Sequence, residues 1–99
     1  MIIEQFDESA KTLTLLVDGR FDYKCQTAFR EAFADKPADL HYVVDLSKVE
    51  YMDSSALGML LLLRDHSGGV HSDVLIKGGS DSVKNVLRMA RFERLFTLG

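Results

Sequence analysis

Three consecutive residues, Asp53-Ser54-Ser55, set a carboxylate beside two hydroxyls directly ahead of the apolar run Ala56 to Leu63. Such a triplet suits two kinds of chemistry. A serine with a base in reach is a nucleophile, whereas a serine at a helix start is a cap or a phosphate acceptor. The nucleophile reading lacks its partners. There is no Gly-x-Ser-x-Gly elbow, and His66 lies twelve residues beyond Ser54, more than three turns along the helix expected there. No acid–base or nucleophile–base pair is assembled elsewhere, so the chain is not expected to be an enzyme.

The helix-start reading has a physical basis. The first backbone N–H groups of a helix lack intrahelical partners, and the macrodipole adds partial positive charge at the same end. A phosphate on Ser54 would then face several free donors. Unmodified, Ser54 or Asp53 would serve as an N-cap, worth about 1 kcal/mol. On a helical wheel Ser54, Gly58, Leu62 and Asp65 fall on one side, with Ala56, Leu57, Leu60, Leu61 and Leu63 over the rest. Leu62 is therefore expected on the exposed face, two turns from Ser54. Gly58 between them removes side-chain bulk at a cost of about 1 kcal/mol relative to alanine. A bare backbone patch flanked by a hydroxyl and an exposed leucine suits docking. The alternative is that Gly58 permits close packing of helix on sheet.

Other constellations carry less. His66, His71, Asp65 and Asp73 match no zinc spacing, and Gly78-Gly79-Ser80 lacks the Gly-Lys-Ser/Thr of a phosphate loop. Asp45 ends a strand as the phospho-aspartate of receiver domains does, but no acidic pair near the chain start would hold magnesium. No cofactor and no metal are expected.

The elements that must position the triplet follow from periodicity. Ile2 to Phe6 and Thr12 to Val17, around a turn at Asp7-Glu8-Ser9, read as an antiparallel hairpin ended by Gly19. Asp22 is placed to cap a helix reaching roughly Ala34, with Cys25, Ala28, Phe29, Ala32 and Phe33 on its apolar stripe. Tyr42 to Leu46 is a nearly continuous apolar strand, expected at the centre of the sheet. A loop then leads to the helix Ser54 to His66, closed by Gly68-Gly69. Val74 to Lys77 is a strand. Ser80 or Asp81 caps a helix bearing Val83, Val86, Leu87 and Ala90, and Arg94 to Leu98 reads as a short edge strand. The expected fold class is α/β, order ββαβαβα(β), a mixed β-sheet with helical crossovers. Working loops in such sheets lie at the carboxyl ends of parallel strands, where the triplet sits.

Bulk properties narrow the classes further. Ninety-nine residues, 46% hydrophobic and 27% charged, fit one globular domain spanning 1–99. A net charge of −3 and scattered Lys and Arg exclude a nucleic-acid partner. The lone Cys25 forms no internal disulfide. The start MIIEQFDESA has no basic n-region, and the uncharged run Ala56 to Leu63 is far short of the ~20 residues that span a bilayer, so no membrane association and a cytoplasmic location are expected.

Met52-Asp53-Ser54-Ser55-Ala56-Leu57-Gly58 resembles the signature of the STAS domain family, the bacterial anti-sigma factor antagonists, whose motif is Asp-Ser-Ser-Gly-Leu-Gly or a close variant. Val44-Asp45-Leu46 resembles the strand ahead of it, and Gly19-Arg20-Phe21-Asp22 the family's Gly-Glu-Leu-Asp. Arg88-Met89-Ala90-Arg91-Phe92 and Leu95-Phe96 resemble its carboxyl-terminal pattern. The resemblance implies a phosphorylation-controlled partner switch. The unphosphorylated form binds a serine kinase that doubles as an anti-sigma factor, phosphorylation of Ser54 releases it, and a metal-dependent PP2C-type serine phosphatase resets it. Asp22 takes the family's acidic position near the phosphorylation site, or is simply a cap. Asp22, Asp53, Ser55, Gly58 and Leu62 are the expected partner-binding residues. Ala56 replaces the commoner glycine, and Arg20 the usual acid. The alternative within the family is a non-switching subunit of a lipid-transport or stressosome-type complex.

Overall fold

Strands that follow one another in the chain also lie next to one another in space. The computed structural model describes residues 1–99. In it β1 (Ile2–Asp7), β2 (Thr12–Phe21), β3 (His41–Met52), β4 (Val74–Lys77) and β5 (Thr97–Leu98) form one sheet in chain order. β1 and β2 are an antiparallel hairpin, and every later pair is parallel. The parallel strands are joined by α1 (Gln26–Ala34), α2 (Ser54–His66) and α3 (Asp81–Met89). This is the mixed sheet with helical crossovers that the sequence predicts.

Crossovers of this kind are right-handed, so strands added steadily in one direction put every helix on the same face. Burial agrees. Leu13, Tyr42 and Val74 form one cross-sheet row and Leu15, Val44 and Ile76 the next, all buried under the helices. On the opposite face the row Leu16, Asp45, Lys77 remains partly open to solvent. From the helices come Phe29, Ala32 and Phe33 of α1, Ala56, Met59, Leu60 and Leu63 of α2, and Val83 and Leu87 of α3. Aromatic contacts stitch the layers: Phe21 to Phe29 at 5.3 Å between ring centres, Phe29 to Phe33 at 5.7 Å, and Phe33 to His66 at 5.1 Å.

Several boundaries differ from expectation. Gly19 does not end β2. It takes φ +87° at a register irregularity, and the strand continues to the buried Phe21. Glycine absorbs the positive φ that a bulge imposes. β3 likewise runs past Leu46 to Met52, leaving no loop before α2, because its polar second half pairs with the bulged half of β2 (Asp18 with Lys48, Phe21 with Met52). Asp22 caps a 3-10 turn at Tyr23–Cys25, not α1 itself. Ala28 lies at the margin of the α1 stripe and is exposed. Arg94 belongs to a 3-10 turn, so the last strand shrinks to Thr97–Leu98.

Candidate functional site

One residue separates β3 from α2. Asp53 keeps extended backbone (φ −121°, ψ −173°), and its Oδ1 accepts the Ser55 N–H at 2.9 Å. The Ala56 N–H donates to the Asp53 carbonyl oxygen at 3.1 Å. Asp53 is therefore the N-cap. Ser54 is left as the first helical residue, exposed, with a hydroxyl that plays no part in the cap. The expected row of free donors is shorter than predicted, since Asp53 already engages the amides of Ser55 and Ala56. Ser55 is half-buried, so of the two hydroxyls Ser54 is the more accessible.

The helix presents one solvent face. Ser54, Gly58, Leu61, Leu62 and Asp65 are exposed, opposite the buried Ala56, Met59, Leu60 and Leu63. Leu62 is 45% exposed, on the side where the wheel puts it. Leu61, which the wheel leaves off the Ser54 side, is 42% exposed and lies almost opposite the centre of the buried arc. Gly58 has a clear geometric answer. A Cβ built on it meets nothing within 4 Å, so close helix–sheet packing does not explain the glycine.

Asp22 and Asp53 leave adjacent strands side by side, because Phe21 pairs with Met52. Asp22 is buried, and its Oδ1 accepts the Lys24 N–H at 3.1 Å. Its Oδ2 accepts from Arg20 Nε at 3.2 Å. Burial pushes the Asp22 carboxyl up, but the Arg20 hydrogen bond and the Lys24 amide outweigh it and hold the group below the usual carboxylate range. The Arg20 guanidinium also lies 4.1 Å from the centre of the Tyr51 ring. Arg20 is thus anchored by the acid and the aromatic of its own end of the sheet. The Cys25 thiol donates to the Arg20 carbonyl oxygen at 3.1 Å, fixing the backbone beneath.

Sequence reasoning missed Tyr51 and Leu61. Tyr51 faces Arg20 only because of the bulge in β2, which leaves no mark in residue spacing beyond Gly19. The arrangement offers one accessible hydroxyl with no general base hydrogen-bonded to it, and an exposed, partly apolar helix face. No group of three His, Cys, Asp or Glu side chains is placed to hold a metal ion, and no helix is long and apolar enough to cross a membrane.

Known proteins share this architecture and sequence. Residues 4–98 match the domain family described as "Mlab, STAS domain". The STAS-domain containing protein PA14_20770 of Pseudomonas aeruginosa (strain UCBPP-PA14) is 45% identical over 89 residues, covering 87% of this chain and 86% of that protein. Among solved structures, a putative anti-sigma factor antagonist from Thermotoga maritima superposes with a TM-score of 0.82 at 16% identity, covering 99% of this chain and 85% of that one. The anti-sigma factor antagonist SpoIIAA in its unphosphorylated form gives 0.72 at 14% identity, over 100% and 87%. The phosphorylated form of SpoIIAA, a Bacillus cell fate determinant, gives 0.68 at 12%, over 100% and 91%. At these identities the structures establish a common fold.

Proposed function

The chain belongs to the STAS domain family, and on that premise we propose that it is an anti-sigma factor antagonist working as a phosphorylation-controlled partner switch in the cytoplasm. It is a binding module, not a catalyst. Unphosphorylated, it holds a serine kinase that is also an anti-sigma factor; phosphate on Ser54 ends the complex, and a PP2C-type phosphatase restores it. The observation that carries this reading is the division of labour at the start of α2. Asp53 alone supplies the cap, so the exposed Ser54 hydroxyl is spare for folding and open to a kinase. Gly58, Leu61 and Leu62 on the same face give the partner a surface with little to desolvate.

Phosphate adds about −1.5 to −2 charge beside the Asp53 and Asp22 carboxylates, within an otherwise close and partly apolar contact. Repulsion and the cost of burying that charge would then release the partner. Incubation with ATP and the kinase, followed by fragmentation, should place phosphate on Ser54 and not on Ser55. Ser54→Ala should bind and stay bound, while Ser54→Asp, with less charge and fewer acceptors, should bind more weakly. Phosphate on Ser55 alone, or equal binding by both variants, would remove the switch. A chain that keeps its partner in both forms would be a structural subunit instead.

A further inference from the structure

β1 is an edge strand, paired with β2 on one side and with nothing on the other. One hydrogen bond fixes which of its backbone groups are unused. The Asp18 N–H donates to the Met1 carbonyl oxygen at 2.9 Å, and the register that sets Ile2 opposite Val17 sets Met1 opposite Asp18. Bonded and non-bonded pairs alternate along an antiparallel ladder, so Ile3, Gln5 and Asp7 also bond to β2. The N–H and C=O groups of Ile2, Glu4 and Phe6 consequently point outward, and these three positions are symmetric about Glu4.

We infer that β1 pairs with β1 of a second copy of this chain, antiparallel about a twofold axis at Glu4, joining the two sheets edge to edge. In that register Ile2 faces the partner's Phe6, and Glu4 faces the partner's Glu4. Phe6 faces the partner's Ile2. Each is a hydrogen-bonded pair, so every outward N–H and C=O of β1 is used. Shifting by two residues loses a pair, and shifting by one would turn the helix-covered face of one sheet toward the open face of the other. Any extended strand can meet the outward backbone groups, so what favours a second copy is the reciprocal pairing of the two apolar ends, Ile2 with Phe6 and Phe6 with Ile2, on the same face. The contact is isologous, the commonest way two identical chains associate.

Side chains fit the same arrangement. Phe6 is 47% exposed, and it projects on the same face as Ile2, so each ring covers the isoleucine of the other copy. β1 contains neither the proline nor the lysine that commonly blunts an edge. Its one obstacle is the pair of Glu4 carboxylates at the axis. Lys36 Nζ reaches Glu4 Oε1 at 3.4 Å, so the seam carries a cation for each of those acids, shared with Asp35 at 3.1 Å.

Sedimentation equilibrium of the full chain, from low micromolar to about 1 mM, should show the mass rising from 11.1 kDa toward twice that value. Glu4→Pro removes an outward N–H and leaves the β1–β2 ladder intact, as proline does on a solvent-facing edge position. It should weaken the dimer at least about tenfold, that is by about 1.4 kcal/mol, while Glu4→Gln, which keeps the N–H, should still dimerise. In a Cys25→Ser background, Glu4→Cys should oxidise to a self-linked dimer faster than Gln5→Cys, because only position 4 meets itself within disulfide range. A wild type monomeric throughout would overturn the proposal, as would equal cross-linking at both positions. A folded Glu4→Pro variant that dimerises like wild type would do the same, and if that variant does not fold, the cysteine pair decides.

Discussion

Replacing Gly58 with alanine should stabilise the domain and weaken the partner complex proposed above. The glycine sits in the interior of α2 with no positive φ, and an added Cβ meets nothing within 4 Å. The only folding consequence left is helix propensity, where alanine exceeds glycine by about 0.8–1.0 kcal/mol. For a domain of this size each kcal/mol moves Tm by roughly 4–8 °C, so a rise of about 3–8 °C is expected by circular dichroism. If the bare backbone at Gly58 is where the partner comes close, the same methyl group should lower affinity by calorimetry. Stability and binding then move in opposite directions, which truncation of a core residue cannot produce. A lower Tm would refute the packing argument. A higher Tm with unchanged affinity would remove Gly58 from the contact while leaving the fold analysis intact.

Leu62→Ala should melt near wild type yet, on the proposed function, bind the kinase partner more weakly, by more than ~1 kcal/mol if it lies at the centre of the contact. Leu60→Ala, fully buried, should lose about 2–5 kcal/mol of folding stability first; denaturant melts alongside binding isotherms separate the two. Asp53→Ala orphans the Ser55 N–H and should cost about 0.5–2 kcal/mol in urea unfolding, with Asp53→Asn retaining most of the cap. Burial, with a smaller contribution from Asp39, pushes the Tyr42 hydroxyl up to about 12. Stability from keeping it neutral should be complete below pH ~10 and lost as pH rises toward 12, seen as tyrosinate absorbance appearing together with unfolding. Asp22 works in the opposite direction. Its lowered pKa adds stability above the ordinary carboxyl range that disappears as pH falls through the folded value, and Arg20→Gln should reduce this acid sensitivity in pH-dependent melts.

What the sequence made legible was whatever obeys a period. The helix from Ser54 to His66, the strand Val74–Lys77 and the exposure of Leu62 follow from spacing alone, because one face of each element meets a core and the other meets water. Legibility failed where pairing overrides pattern. The polar run Ser47 to Tyr51 looks like a loop, yet it remains strand because β2 supplies ladder bonds across a bulge. The stack of Arg20 on Tyr51 depends on that same irregularity. The cap was ambiguous for a different reason. Aspartate and serine are both good cap residues, and only the backbone angles at residue 53 decide between them.

The passage from β3 to α2 through Asp53 alone also sets how fast and how far the site can move. Ser54 is tied on one side to the central strand and on the other to a helix buried along Ala56, Leu60 and Leu63. A segment held this way opens only when most of the domain opens, so the bonded amides that flank it, in the paired half of β3 and in α2 beyond its first turn, should be among the slowest to exchange with deuterium. There is no slack to melt and refold around an added group. On the switch proposed above, a kinase would have to accept the serine in the pose the helix gives it, and the added phosphate would be read as altered surface charge on an unmoved frame.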